Sequence, residues 1–538
     1  SELSGTMIDL CPVGALTSKP FRYSARTWEL GRKRSVSPHD SLGSNIVVQT
    51  KSNLVKRVVP LENEAINECW ISDRDRFAYE GLNHASRLKV PMVKQDNRWI
   101  ETSWEAALDY VKRSLDSIQK DFGADSIAAL AHPMSSTEEL YLMQKLVRAL
   151  GSDNVESRLR TSDVSGAPKA PWLGMPIAEV SQLQRAFFIG SFLRKDQPVL
   201  AARVRGATKR GLKVTRLGAS VEDWLMPIAA SALAVPSAWV AELAGVASAV
   251  AKSKGVAAPS DAKISSAAQA IADSLLSGEG KAVFLGQAAM AHPQYAQLHA
   301  YAQFIAMQTS AKLGFLPEGG NAVGAHAAKA ISTSGVNGIL AKNLKAVMLL
   351  NLEPSRDLAD PQMAKAALAN MEGVAQSVQA AVRPLGEARP AWKIFRVLGN
   401  LLNLDGFYFD SSEEVLSEAT GKGLTLDNAS TVAPGAVSAQ GGAIERLADV
   451  VIHSSDAIVR RAETLQLTND AKRGNQIGIA SNVFSQLGIK EGDAVKVTQN
   501  GLSAVAFATQ ECVLADNVVR VSAGTALAAQ LGAMNGSL

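Results

Sequence analysis

The stretch Ser126-Ile127-Ala128-Ala129-Leu130-Ala131 runs through six small or apolar residues, and a polar turn then gives way to a helix-length segment over 136–150 that stops at Gly151. A short continuous apolar run bounded by turns marks a strand buried on both faces. The same grammar returns downstream. Ala186-Phe187-Phe188-Ile189-Gly190 predicts a strand, 198–209 a helix opening on a proline, and Leu212-Lys213-Val214-Thr215 the next strand. Ala282-Val283-Phe284-Leu285-Gly286 leads into a helix near 292–308, and 345–351 adds another strand. Strands alternating with helices imply parallel sheets covered by helices, so the body is α/β.

On the N-terminal side, Thr102 or Ser103 can cap a helix carrying Glu105 in its first turn and Ala107, Leu108, Val111 and Leu115 at helical spacing. Before it, Asn45-Ile46-Val47-Val48-Gln49 and Leu54-Val55-Lys56-Arg57-Val58-Val59 read as strands, the second ending at Pro60. On the C-terminal side, 421–442 is rich in Gly, Ser, Ala and Thr and reads as a linker. Beyond it, 493–498, 503–508 and 518–522 alternate as strands and imply a small β-rich, barrel-like domain. The expected divisions are 1–30, a β-rich segment 31–100, α/β domains over 101–225 and 226–420, the linker, and 443–538.

The 538 residues suffice for several cores, and 47% hydrophobic with 20% charged residues is ordinary for a globular protein. A formal net charge of +4, evenly spread, argues against a nucleic-acid partner; the short cluster Arg32-Lys33-Arg34 reads as a solvated face. Three cysteines make no disulfide framework, which implies a reducing compartment. No signal peptide is expected. The most apolar stretch, 226–251, is broken by Pro236 and Glu242, so no membrane span is expected either.

The most specific motif is Asp9-Leu10-Cys11-Pro12-Val13-Gly14-Ala15-Leu16-Thr17-Ser18-Lys19-Pro20, continuing through Ala25-Arg26-Thr27-Trp28-Glu29-Leu30. A soft thiolate suits iron, the proline stops the chain from running into a helix, and Gly14 lets the backbone pass close to a ligand sulfur. The stretch resembles the region carrying the last cysteine of a 4Fe–4S cluster in the large iron–sulfur subunit of bacterial NADH–quinone oxidoreductase (respiratory complex I). That resemblance implies Cys11 as one of four cluster ligands. The family's other three stand in an upstream Cys-x-x-Cys-x-x-Cys that has no counterpart in the ten residues before Cys11.

Some members of this family, like the molybdopterin oxidoreductases they resemble, carry a further cluster. Its frame survives as Val36-Ser37-Pro38-His39-Asp40-Ser41-Leu42-Gly43-Ser44 and Trp70-Ile71-Ser72-Asp73-Arg74-Asp75-Arg76-Phe77. Ser37, Asp40, Ser44 and Ser72 fall at the ligand positions, and hard oxygens replace thiolates poorly, so no cluster is expected there. Further stretches resemble the family in order along the chain: 151–155, 319–325, 351–354, 370–376, 384–392, 447–450, 487–493 and 516–521. Relatives have an extra strand and loop between the parts matching Asp360 and Asn370, where this chain has a short Ala-rich link.

The resemblance thus implies an α/β, molybdopterin-oxidoreductase-like body that binds no molybdopterin and acts as scaffold. It implies other peripheral-arm subunits as partners and a place on the cytoplasmic face of the bacterial inner membrane. The competing reading is an active molybdopterin-dependent oxidoreductase of the formate-dehydrogenase type, with Thr161-Ser162 at the metal position. Against it, Leu217-Gly218 replaces the polar loop that meets the cofactor's nucleotide, and Arg194, Lys195 and Arg216 are scattered cations that would have to converge. A free-standing binding protein has no positive feature. The histidines at 39, 84, 132, 292, 299, 326 and 453 lack metal-ligand spacing and read as packing or surface residues. Gly319-Gly320 with Gly324 reads as a turn, and Cys69 and Cys512 as small core residues.

Overall fold

The computed structural model describes residues 2–363, 375–376, 385–421, 423–437 and 443–538. The resemblance at 370–374 and the short link before Asn370 lie outside them.

The chain opens with an antiparallel sheet of β1 (Gly31–Val36), β2 (Asn45–Lys51) and β3 (Leu54–Pro60), with β1 at one edge. Ile46, Val48, Val55 and Val58 bury one face against Ile71 and Tyr79. A hairpin of β4 (Met92–Gln95) and β5 (Arg98–Glu101) then leads to α1 (Trp104–Phe122). Ser103 caps α1 by accepting from the Ala106 amide, as the sequence led us to expect.

β6 (Ile127–Ala131) is buried along its whole length and pairs in parallel with β7 (Val155–Glu156). Between them runs α2 (Thr137–Ala149), opened by a capping box of Ser136 and Glu139. The chain then leaves this sheet to build a second one from β8 (Arg185–Ile189), β9 (Lys213–Gly218), β10 (Ile228–Leu233), β11 (Lys281–Leu285) and β12 (Lys312–Phe315). Its order is β10-β9-β8-β11-β12 and every pair is parallel. Only afterwards does it return to the first sheet with β13 (Ala346–Leu350) and β14 (Ala375–Gln376), giving the order β14-β13-β6-β7.

β9 and β10, on either side of the expected division at 225, pair in one sheet. Alternation in sequence announces parallel strands but does not say which strands share a sheet. The apolar run over 226–251 becomes β10 and α3 (Trp239–Lys254), with Leu243, Val246 and Val250 in the core. Each such buried aliphatic side chain contributes about 1.5–3 kcal/mol. Among the described residues no helix is long and apolar enough to cross a membrane.

The expected linker is anchored rather than free where it is described. Asn428 donates to the carbonyls of Trp172 and Leu313 at 3.0 and 2.7 Å, and Tyr301 donates to Gly435 at 2.6 Å. The last unit is a mixed five-stranded sheet that curls into a half-barrel. It comprises β15 (Glu445–Leu447), β16 (Ile477–Ile479), β17 (Ala494–Gln499), β18 (Leu502–Gln510) and β19 (Val518–Arg520). Arg446 lies almost wholly buried in it and donates to Gln499 Oε1 and to the carbonyls of Val521, Gly532 and Ala533.

Candidate functional site

Cys11 follows a single turn of helix, Thr6–Leu10, at the point where Pro12 ends it. The loop then doubles back through Gly14 at φ +67°, a left-handed conformation that a Cβ would strain. The backbone amides of Leu16 foremost, then Val13, Ala15 and Gly14, turn toward the Cys11 sulfur and hold its thiol below the ordinary range. Amides near a sulfur favour its thiolate form, the form in which cysteine binds a soft metal. Around it Leu10 and Val13 stand 65% and 82% exposed. The other two cysteines do not join it: Cys69 and Cys512 are free and exposed, which corrects their reading as core residues. Both sit in turns, where a small, weakly polar side chain is tolerated facing water. Among the described residues no group of three His, Cys, Asp or Glu side chains is arranged to hold a metal.

The four oxygen-bearing positions tell a different story. Ser37, Asp40, Ser44 and Ser72 are all buried, and the structure gathers them at one place. Three of the side chains turn their oxygens on protein partners, while the Ser44 hydroxyl has none among the described residues. Ser37 and Ser72 hydroxyls donate to the two oxygens of Asp75 at 2.5 and 2.7 Å, and the Ser72 amide adds a third bond to Asp75 at 3.1 Å. Asp40 accepts from Arg74 at 2.8 Å and from the Leu42 amide at 3.0 Å. The Ser37 amide donates to the Ser44 carbonyl. Beside them, His39 Nδ1 meets Asp456 at 2.9 Å. Burial alone would depress the imidazole's pKa, but the Asp456 carboxylate outweighs it and raises it. The spacing of Ser72 and Asp75 is a capping box legible in sequence, whereas Arg74 and Asp456 are joined to the site only by tertiary folding.

The remaining histidines mostly pack, as expected. His292 bonds the Pro236 carbonyl at 2.9 Å and stacks on Trp239, and His299 bonds the Asn428 carbonyl at 2.7 Å. The amides of Gly320 and Asn321 are engaged by the carbonyls of Pro38 and Pro133, so the glycine-rich loop is a turn.

The strand order of the second sheet reverses between β8 and β11, where open α/β sheets form a ligand crevice. Gly190, at φ +57°, lets its carbonyl accept from the amides of Ala288 and Ala289, at the start of the short helix Gln287–Met290. A Cβ on Gly190 would stand 2.5 Å from the Ala289 nitrogen.

A family model described as molybdopterin oxidoreductase matches residues 87–369, more than half of the chain. The chain belongs to that family. A second model, NADH-ubiquinone oxidoreductase NDSU1/NuoG-like, 4Fe-4S domain, matches residues 30–80. Similar proteins include the G subunit of NADH-quinone oxidoreductase from Rickettsia felis, 37% identical over 220 residues, covering 40% of this chain and 32% of that one. The Rickettsia typhi counterpart, of the same name, is 36% identical over the same length, with the same coverage of both chains. The NADH-ubiquinone oxidoreductase 75 kDa subunit of Reclinomonas americana is 33% identical over 219 residues, covering 38% and 31%. The match thus spans about a third of these relatives. In fold, acetylene hydratase from Pelobacter acetylenicus superposes with a TM-score of 0.63 over 92% of this chain and 93% of its own, at 12% identity.

Molybdopterin-oxidoreductase membership raises the question of whether these residues fit a large anionic cofactor. They do not. Arg194 and Lys195 do converge, but on Glu2, at 2.8 and 2.5 Å, and Lys195 also meets Asp470 at 2.8 Å. Burial would raise the Glu2 carboxyl; the two cations instead hold it down at about 2. Arg216 donates to Ser231 and to the Glu222 carbonyl. Arg160 pairs with Glu318 and Asp357, Arg460 with Asp357 and Glu353, and Arg520 with Glu222 and Glu511. Thr161 and Ser162 lie in irregular chain after β7, outside any strand or helix that would fix a metal ligand. Cations neutralised by carboxylates have no free charge to offer a pyrophosphate.

Proposed function

We propose that this chain is part of the large iron–sulfur subunit of a proton-translocating NADH–quinone oxidoreductase. It sits in the peripheral arm, on the cytoplasmic face of the bacterial inner membrane, in contact with the other arm subunits. Cys11 supplies one of four thiolates to a 4Fe–4S cluster whose other ligands lie in a further part of the protein. When bound, the cluster passes single electrons from NADH toward quinone. The α/β body serves as scaffold, binding no molybdopterin. The observation that carries this reading is the amide-lined Cys11 loop, which stands just ahead of the residues matching a NuoG-like 4Fe-4S domain.

The test is Cys11→Ala in the protein that carries all four ligands. Loss of one tetranuclear signal in low-temperature electron paramagnetic resonance, with slowed quinone reduction, is expected; wild-type signals and turnover would refute the ligand role. The 538-residue chain alone should hold no stoichiometric iron or sulfide. Molybdenum, tungsten and oxidised pterin should be absent from this subunit in the intact complex, and near-stoichiometric amounts would restore the formate-dehydrogenase reading.

A further inference from the structure

A cavity of about 740 Å³ lies between the N-terminal sheet and the first α/β unit. No residue of β8 or β11 lines it, and its size is that of a small-molecule site. Its walls are apolar: Val48 and Val58 from the sheet, Tyr79 and Leu82 from the turn after the short helix Asp73–Phe77, and the indoles of Trp99 and Trp104. Its floor is the start of α2 and the end of β13, where Glu139 and Asn351 each leave one oxygen with no hydrogen-bond partner among the described residues. Glu139 is 1% exposed, so that oxygen has no water to turn to outside the cavity.

Arg160, Arg460 and Arg520 are matched to carboxylates. By contrast, Lys33, Arg34, Lys89 and Arg389 line the cavity and none of them pairs with a carboxylate among the described residues. Arg389 instead lies over the Trp104 ring, 5.1 Å from its centroid. The acids nearby are committed: Asp75 to Ser37 and Ser72, and Glu353 to Arg460 and Arg461. Burial raises the Glu139 carboxyl to about 7, which takes most of its negative charge away below neutral pH.

We propose that this cavity binds a small amphipathic anion, an elongated apolar molecule with a carboxylate at one end. The apolar body lies along the sheet and the indoles, where leaving water is favourable. The carboxylate meets the exposed cations, Lys89 and Arg389 foremost, where attraction is strongest and desolvation least.

Isothermal titration of the 538-residue chain with dodecanoate, kept below its micelle concentration, tests this. One site per chain is expected, with dodecylammonium binding far more weakly. The double variant Lys89→Glu, Arg389→Glu should weaken dodecanoate roughly tenfold or more. Lys252→Glu, at the distant end of α3, should leave affinity unchanged, which separates a local effect from net charge. Leu88→Asp, at an exposed residue lining the cavity, gives a second weakened variant if the double variant fails to fold. No binding, equal binding of the two amphiphiles, or an affinity indifferent to both cavity variants overturns the proposal.

Discussion

Replacing Glu139 with Gln removes a carboxyl whose protonation is tied to the first α/β unit. Burial is the main cause of its elevation; it lifts the group from 4.5 to about 7 against the Ser136 amide, which favours the charged form. Between those values the folded protein keeps a proton that the unfolded chain has released, so stability falls as pH rises and levels off above about 7. The full difference is about 3 kcal/mol, most of which develops between pH 5 and 8. Gln keeps an oxygen to accept from the Ser136 amide, now 3.1 Å from Glu139, so the helix cap survives the change. Hydrogen–deuterium exchange of the α2 peptides, corrected for intrinsic rates, reads the local opening free energy. Protection in the parent should decline by about 2–3 kcal/mol from pH 5 to 8 relative to Glu139→Gln, and the variant should be the better protected at pH 8. Asp196, also raised to about 7 by burial, contributes equally to both proteins and cancels. Parallel pH profiles would refute the reasoning.

Three further outcomes are expected. Iodoacetamide should alkylate Cys11 faster at neutral pH in the folded chain than in urea, and Gly14→Val should slow it by disturbing the φ +67° turn; equal rates would remove the amide-lined loop from the argument. Arg446→Met should cost about 3 kcal/mol in the C-terminal sheet by leaving Gln499 and three carbonyls without their donor, seen as lost exchange protection in β17 and β18 but not in β8 or β11. Gly190→Ala should destabilise the second sheet by about 2–4 kcal/mol, read as a lower thermal midpoint, because its Cβ would meet the Ala289 nitrogen at 2.5 Å. An unchanged midpoint would mean that the close approach of Gly190 to Ala289 does not constrain the sheet.

The class of the fold was legible because parallel strands buried on both faces write themselves as short apolar runs, as at 127–131, 186–189 and 282–285. The Ser103 and Ser136 caps and the capping box of Ser72 and Asp75 were equally local, since such bonds span three residues. The loop after Cys11 is local for the same reason: the amides that lower its thiol come from the next five residues. Sheet membership was not legible, because pairing β13 with β6 across more than two hundred residues depends on a long-range fit that no local pattern encodes. Nor was the fate of the cations. Arg194 and Lys195 meet Glu2, and His39 meets Asp456, only once distant segments are packed together. The sequence by itself determined the secondary elements and the thiolate loop, both products of short-range sterics and hydrogen bonding. Only the tertiary structure decided which charges are neutralised and which face an open cavity, because a charge's partner is set by distance in space rather than along the chain.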